Sequence, residues 1–364
     1  MSLPGFYIDD LHIPVPIIQG GMGVGISLSG LAAAVAAQGG VGIISAAMVG
    51  FKEPDVRTKH TEANLRALRR EIRRARELTT GVIGVNILAS LTDFEAMASC
   101  AMDEGVDLII SGGGLPRTLP GLVKPGQKTK LIPVVSSGRA AELLARMWIT
   151  RYDRVPDAFV VEGPLAGGHL GFKRSALDAP ESRLEVLVKD VVEVAKKLKE
   201  THGREVPVIA AGGIYTHQDI LDMLAIGASG VQLGTRFVAT HECDADLRFK
   251  QAYVDSTQAD IQIIDSPLGL PGRAIVSPFL KNVSEGHTSP ISCYCKCMAS
   301  CGVEQAPYCI SLALISAQRG NFRAGFAFCG ANAWRVDKIV SVAELMHELT
   351  TGETAPPADE QPSS

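Results

Sequence analysis

A histidine set among glycines is the residue of this chain best placed to move a proton. It stands in the run Val161, Glu162, Gly163, Pro164, Leu165, Ala166, Gly167, Gly168, His169, Leu170, Gly171, at the end of an apolar stretch. Imidazole changes charge near neutral pH. The glycines leave room beside it for a substrate or a cofactor. The bland alternative is a structural or exposed histidine. Glu162, in the same run, could accept hydrogen bonds from sugar hydroxyls, or it could pair with a cation on a neighbouring strand.

Two further runs suit an anion. Residues 208–214 read as a strand ending in Gly212 and Gly213, and residues 231–237 as the next strand, ending in Gly234 and Thr235. Glycine lets backbone N–H groups approach phosphate oxygens, and Thr235 adds a hydroxyl donor. Tight turns needed for chain closure are the alternative. Near the start, Gln19, Gly20, Gly21, Met22, Gly23, Val24 and Gly25 follow another apolar run. They do not fit the G-x-G-x-x-G dinucleotide pattern. Gly21 and Met22 suit close approach to a flat ring, with a plain strand-to-helix turn as the alternative.

Cys293, Cys295, Cys297 and Cys301 place four thiols in nine residues, with Cys309 beyond. Such a set could hold zinc or an iron–sulfur cluster. Its C-x-C-x-C-x3-C spacing fits no standard ligand pattern, so reduced thiols without a metal are expected. Cys100, Cys243 and Cys329 read as packing residues. Cys329 precedes Gly330, Ala331 and Asn332, which could reach the mouth of a site.

The elements that must carry these residues recur along the chain. Eight short β-rich apolar runs stand at Ile17–Gln19, Val41–Ser45, Gly81–Asn86, Val106–Ser111, Leu131–Val135, Ala158–Glu162, Val206–Ala210 and Gly230–Gly234. Helical patterns follow most of them, at Leu28–Gln38, Phe94–Glu104, Arg139–Trp148, Leu184–Glu200 and His217–Ile226. Unbroken apolar runs imply strands buried on both faces, hence a parallel sheet. Strict alternation implies α/β, and eight units favour a closed (β/α)8 TIM barrel over an open sheet. Gly20 to Met22, Asn86, Gly112 to Gly114, Ser136 and Ser137, Glu162 to His169, Gly212 and Gly213, and Gly234 and Thr235 all fall just after strands. A barrel opens those positions onto one face, where active sites are built.

The layout expected is a barrel over 1–240, a Cys-rich insertion or lid over 241–326, a helical segment over 327–349 packing back on the barrel, and a disordered tail over 350–364. With 364 residues, 46% apolar and 20% charged, the chain suits this plan. A net charge of -4 argues against a nucleic-acid footprint. The arginines between Arg66 and Arg76 read as the wet face of an amphipathic helix, because Leu65, Leu68, Ile72, Ala75 and Leu78 recur at helical spacing. Neither a signal peptide nor an apolar run long enough to span a bilayer is apparent. A cytoplasmic protein with reduced thiols, a small-molecule substrate and no nucleic-acid or membrane partner is expected. A homodimer is compatible with this reading.

Five stretches together resemble the nitronate monooxygenase (formerly 2-nitropropane dioxygenase) family, which includes the FMN-dependent enoyl-acyl-carrier-protein reductases of the FabK type. They are residues 18–22, 84–86, 166–171, 207–214 and 231–237, in family order. The resemblance implies non-covalent FMN at the strand ends. Gly21 and Met22 would lie by the flavin ring, Asn86 would hydrogen-bond it, and Glu162 would meet the ribityl hydroxyls. Gly167 and Gly168 would line the flavin, and Gly212, Gly213, Gly234 and Thr235 would hold its phosphate. His169 matches the family's catalytic histidine, a base or orienting group in nitronate oxidation, or a proton donor beside an enoyl substrate. Leu165 stands where the family usually has glutamate.

Three functions follow. The first is a nitronate monooxygenase that needs oxygen and no nicotinamide. The second is a flavin reductase using NADH or NADPH on an enoyl thioester or a quinone. The third is an accessory flavin- or metal-binding subunit, supported by the cysteine cluster alone.

Overall fold

The eight apolar runs become eight parallel strands. In the computed structural model, which describes residues 3–288, 293, 295–299, 301, 302, 304 and 306–354, a short hairpin comes first, β1 Phe6–Ile8 and β2 Leu11–Ile13. The barrel strands are β3 Ile17–Gln19, β4 Val41–Ser45, β5 Val82–Leu88, β6 Leu108–Gly112, β7 Lys130–Val135, β8 Phe159–Glu162, β10 Val208–Ala211 and β11 Gly230–Leu233, with the two-residue β9 Gly168–His169 after β8. They close in the order β10-β11-β3-β4-β5-β6-β7-β8. The chain is a TIM barrel, as the alternation predicts.

Closure follows from side-chain type. Ile18, Ile43, Leu108, Ile110, Ile132, Val160 and Ile209 fill the interior, and Ile8 and Ile13 of the hairpin pack into the same cluster. The hairpin thereby plugs the end of the barrel opposite the strand C-termini. Outside, helices α1 Ser29–Ala37, α2 His60–Leu78, α3 Phe94–Asp103, α4 Gly138–Tyr152, α5 Leu184–His202 and α6 His217–Ala225 bury their apolar stripes on the strands. After β6 the helix is reduced to the single 3-10 turn Leu119–Leu122. In α2, Ala67, Leu68, Ile72 and Ala75 are buried while Arg66, Arg70, Arg73 and Arg76 pair with Glu53, Asp55, Glu104 and Asp107 at the surface. The arginines are its wet face.

After β11 comes one turn, α7 Thr235–Val238, and then the insertion: α8 Leu247–Val254, β12 Ile261–Asp265, β13 Pro271–Ile275, α9 Pro278–Ser284, α10 Ile310–Gln318 and β14 Ala327–Phe328. Strand β13 pairs antiparallel with β12 on one edge and with both β14 and β9 on the other. The insertion is thus sewn to the barrel through His169. Asp244 fastens it elsewhere, accepting from the N–H groups of Leu28 and Leu31, which α1 cannot satisfy by itself.

The last apolar stretch, 327–349, is not one helix. Glycines at 325 and 330 bound an aromatic, β-favouring run that joins the sheet as β14. The helix α11 Val342–Thr351 starts only at a capping box made by Ser341 and Glu344. It buries Val342, Leu345, Met346 and Leu349 against α1 and α6, the place of an eighth barrel helix. Thr350 and Thr351 belong to this helix rather than to a tail, and 355–364 lie outside the described residues. Among the described residues no helix is long and apolar enough to cross a membrane.

Candidate active site

The inward side chains turn polar at the C-terminal ends of the strands. Glu162 on β8, Ala211 on β10 and Gln232 on β11 are in register, and Gln232 pairs with Ile18 on β3. Paired residues of parallel strands project to the same side, and Ile18 and Ala211 belong to the barrel interior. Glu162 and Gln232 therefore face inward across the small Ala211. On the other side of the barrel Ser45 and Asn86 are in register with each other and with interior Ile110. A polar rim thus caps an apolar barrel.

Two of these groups lack partners. The Gln232 Oε1 atom is buried with nothing to accept from among the described residues. Among the described residues Glu162 has neither a cation nor a hydrogen-bond donor, so the strand-to-strand ion pair does not form. Burial pushes its carboxyl up to about 7. Buried polar atoms without partners usually await a ligand or water. Asn86 spends one amide proton on the Ile110 carbonyl, 3.3 Å away, and keeps its other polar valences.

The glycines are where side chains would collide. A Cβ on Gly21 would lie 2.3 Å from the Asn86 Cβ, so this turn can pass Asn86 only as glycine. Gly212 and Gly213 have φ of +99° and +90°, the region that glycine adopts without strain. The backbone N–H groups of Gly212, Gly213 and Gly234 meet no acceptor among the described residues. Met22 lies against Gly234. The Thr235 hydroxyl accepts from Gly330 N–H at 2.9 Å, which leaves its own proton to donate. Residues 329–332 thread between these loops: Ala331 N–H donates to the Leu165 carbonyl (3.0 Å) and Asn332 Nδ2 to the Gly213 carbonyl (2.6 Å). Gly167 packs on this thread, its Cβ position only 2.6 Å from the Cys329 carbonyl carbon, whereas a Cβ on Gly168 would meet open space.

His169 follows at once, held by the insertion. Its Nε2 lies 2.7 Å from Ser266 Oγ and its ring meets Phe328 edge-on at 5.0 Å. Desolvation lowers its pKa to about 4, so the imidazole is neutral at physiological pH. Arg273 of β13, buried and in no salt bridge among the described residues, donates from one nitrogen to the Pro164 and Ala166 carbonyls, both at 2.7 Å. It braces the loop that carries Gly167 to His169. A groove lined by Phe172, Lys173, Ser266, Leu270 and Pro271 opens beside Ser266.

Gly21, Met22, Asn86, Glu162, Gly212, Gly213, Gly234 and Thr235 thus stand at the strand C-termini, and Gly167, Gly168 and His169 follow in the loop after β8. Sequence reasoning missed Gln232, Ser266, Arg273 and Phe328. Gln232 had a signal, an amide in a buried strand, while the other three are supplied by the insertion and had none. All eight cysteines are free thiols, Cys329 stands against Gly167 of the site, and among the described residues no three His, Cys, Asp or Glu side chains are grouped to hold a metal.

Comparison with known proteins bears on the fold and the family. A probable nitronate monooxygenase of Staphylococcus aureus (strain Newman) is 27% identical over 309 residues, which covers 76% of this chain and 79% of that protein. The structure of FabK from Thermotoga maritima superposes with a TM-score of 0.69 at 28% identity, covering 93% of this chain and 91% of that one. A nitroalkane oxidase from Streptomyces ansochromogenes shares the fold, with a TM-score of 0.69 at 23% identity over 94% and 96% of the two chains. The family model described as nitronate monooxygenase matches residues 6–352, and the chain accordingly belongs to the nitronate monooxygenase family, as a flavin-dependent oxidoreductase.

Proposed function

We propose that the chain binds FMN at this face and oxidises alkyl nitronates with molecular oxygen. The observation that carries the cofactor is the unsatisfied set at the strand ends. Free N–H groups at Gly212, Gly213 and Gly234, with the Thr235 hydroxyl, suit a phosphate. Glu162 and the orphaned Gln232 Oε1 suit the hydroxyls of a ribityl chain. Gly21, Met22, Asn86, Gly167 and Gly168 would border the ring. When bound, FMN supplies the electron-accepting chemistry.

The protein's own part is to seat a small anion and manage one proton. Ser266 Oγ accepts from Leu268 N–H at 3.2 Å, so its hydroxyl proton can go to His169 Nε2. That arrangement leaves the ring proton on Nδ1, able to donate to a nitronate oxygen. A neutral imidazole suits this role, since it stays a donor without trapping the anion as a tight ion pair. The groove wall offers apolar Phe172, Leu270 and Pro271 to an alkyl chain and the Lys173 ammonium to the negative charge.

Oxygen uptake tests this reading. With propionate 3-nitronate and no nicotinamide, the FMN-loaded protein should consume oxygen, and His169→Ala should lose that activity. The second reading, a nicotinamide-dependent reductase of an enoyl thioester, draws on the resemblance over nearly the whole chain to FabK from Thermotoga maritima. No uptake with nitronate, together with NADH or NADPH oxidation on an enoyl thioester, would replace the first reading with the second.

A further inference from the structure

The proposed flavin chemistry leaves the cysteine-rich stretch unused, yet that stretch is anchored. Leu91 forms an antiparallel bridge with Met298. Thr92 N–H donates to the Cys297 carbonyl at 3.2 Å, and Ala299 N–H to the Ser90 carbonyl at 2.9 Å. The Cys297 side chain is buried with Val24, Met48, Phe51 and Ile315. Val24 belongs to the loop after β3, Met48 to the loop after β4, and Ser90 to Thr92 to the loop after β5. One short strap thus grips three successive loops on the face that carries the candidate site.

The sulfur chemistry of this strap is unlike that of the other cysteines. Cys100, Cys243 and Cys329 are buried, and burial raises each of their thiols. Cys297 is also buried, but its Sγ lies 3.2 Å from Ser311 Oγ on α10 and the Cys295 thiol sits beside it. Those hydrogen bonds, Cys295 first, outweigh burial and lower the Cys297 thiol, while the same contact raises that of Cys295. Cys297 is the more acidic sulfur of the pair, and the Cys295 thiol next to it is partly exposed. Between the two, Lys296 turns the chain through a left-handed φ of +42°.

We propose that Cys295 and Cys297 form a peroxide-sensitive dithiol, a modification site that sets how firmly the strap holds the active face. The Cys297 sulfur attacks the O–O bond of a hydroperoxide. An S–O bond forms, and the leaving oxygen takes a proton and departs as alcohol or water. The Cys295 sulfur then attacks the Cys297 sulfenic acid, forming an S–S bond and releasing water. Overall the two thiols lose two electrons and two protons, and the peroxide is reduced. The new S–S bond draws the Cys297 sulfur toward Cys295 and takes away the hydrogen bond it shares with Ser311, so oxidation loosens the strap.

Hydrogen peroxide treatment of the full-length FMN-loaded protein, followed by tryptic digestion without reduction, tests this site. Trypsin cuts after Lys281, Lys296 and Arg319, which places Cys293 and Cys295 on one peptide and Cys297, Cys301 and Cys309 on the next. The expected product is a single species spanning 282–319, lacking the two thiol hydrogens and separated by a dithiol reductant. It should vanish in Cys295→Ser and in Cys297→Ser and persist in Cys293→Ser and Cys301→Ser. The wild-type digest stands without any variant folding. Hydrogen exchange at Thr92 and Ala299 should quicken on oxidation and recover on reduction. Unlinked peptides, linkage that survives Cys297→Ser, irreversible sulfinic acid, thiols reactive only after a chelator removes a bound metal, or unchanged exchange would overturn the proposal.

Discussion

Replacing Glu162 with glutamine should change how the stability of the FMN-free protein depends on pH. In the folded chain the carboxyl has no cation and no donor among the described residues, and burial lifts its pKa from 4.5 to about 7. The unfolded chain releases this proton near the lower value and the folded chain near the higher one. Between them the folded state holds an extra proton, so stability falls as pH rises through that window and is level above it. Each pH unit costs about 1.4 kcal/mol, which makes the whole loss on the order of 3 kcal/mol. Glutamine has the same shape and no charge. Urea unfolding from near pH 4 to near pH 8 should show wild type and Glu162→Gln alike at the acid end. At the alkaline end the variant should lead by about 3 kcal/mol. A difference that does not vary with pH would refute the reasoning. The same carboxylate, once it accepts from sugar hydroxyls, is stabilised in its charged form. FMN binding should then release a proton below pH 7, and affinity should rise with pH there, but not in the variant.

His169→Ala should keep FMN and lose turnover by about 100- to 10,000-fold, read from steady-state rates. Because the His169 pKa falls from 6.5 in the unfolded chain to about 4 when folded, its neutral burial contributes stability that is lost as pH drops between those values. Unfolding of His169→Ala against wild type across that range checks the sign. Gly213→Ala combines a φ of +90° with a Cβ 2.9 Å from the Leu165 Cβ, and should weaken FMN binding by about tenfold or more, roughly 1.4 kcal/mol. Gly168→Ala, with open space around it, should cost only the backbone strain of about 1 kcal/mol, read as a small fall in melting temperature. Arg273→Met removes two charge-assisted hydrogen bonds to the Pro164 and Ala166 carbonyls and should cost about 3 kcal/mol in denaturant unfolding.

The barrel was legible because each strand is short and apolar, and six of the eight are followed directly by a glycine or a serine, a pattern that a doubly buried strand imposes on its own sequence. Boundaries moved by at most two residues, as between Val206–Ala210 and the observed Val208–Ala211. The glycine turn after β10 was legible for a similar reason, since Gly212 and Gly213 need a backbone that other residues avoid. What escaped depends on contacts distant in sequence. Ser266 and Phe328 meet His169 only because β13 pairs with both β9 and β14, and nothing local to either residue encodes that pairing. Residues 327–349 were misread because their apolar content suits a helix and a strand alike, and the capping box at Ser341 decides where the helix begins. Gln232 was visible but unassigned, because an amide in a buried strand is informative only once its Oε1 is known to lack a partner.

Anaerobic mixing of the FMN-loaded protein with propionate 3-nitronate and, separately, with NADH or NADPH most directly tests the central claim. The account predicts rapid loss of the oxidised flavin's visible absorbance with the nitronate and none with the nicotinamides, and a much slower loss in His169→Ala. Bleaching by a nicotinamide with no response to the nitronate would contradict it.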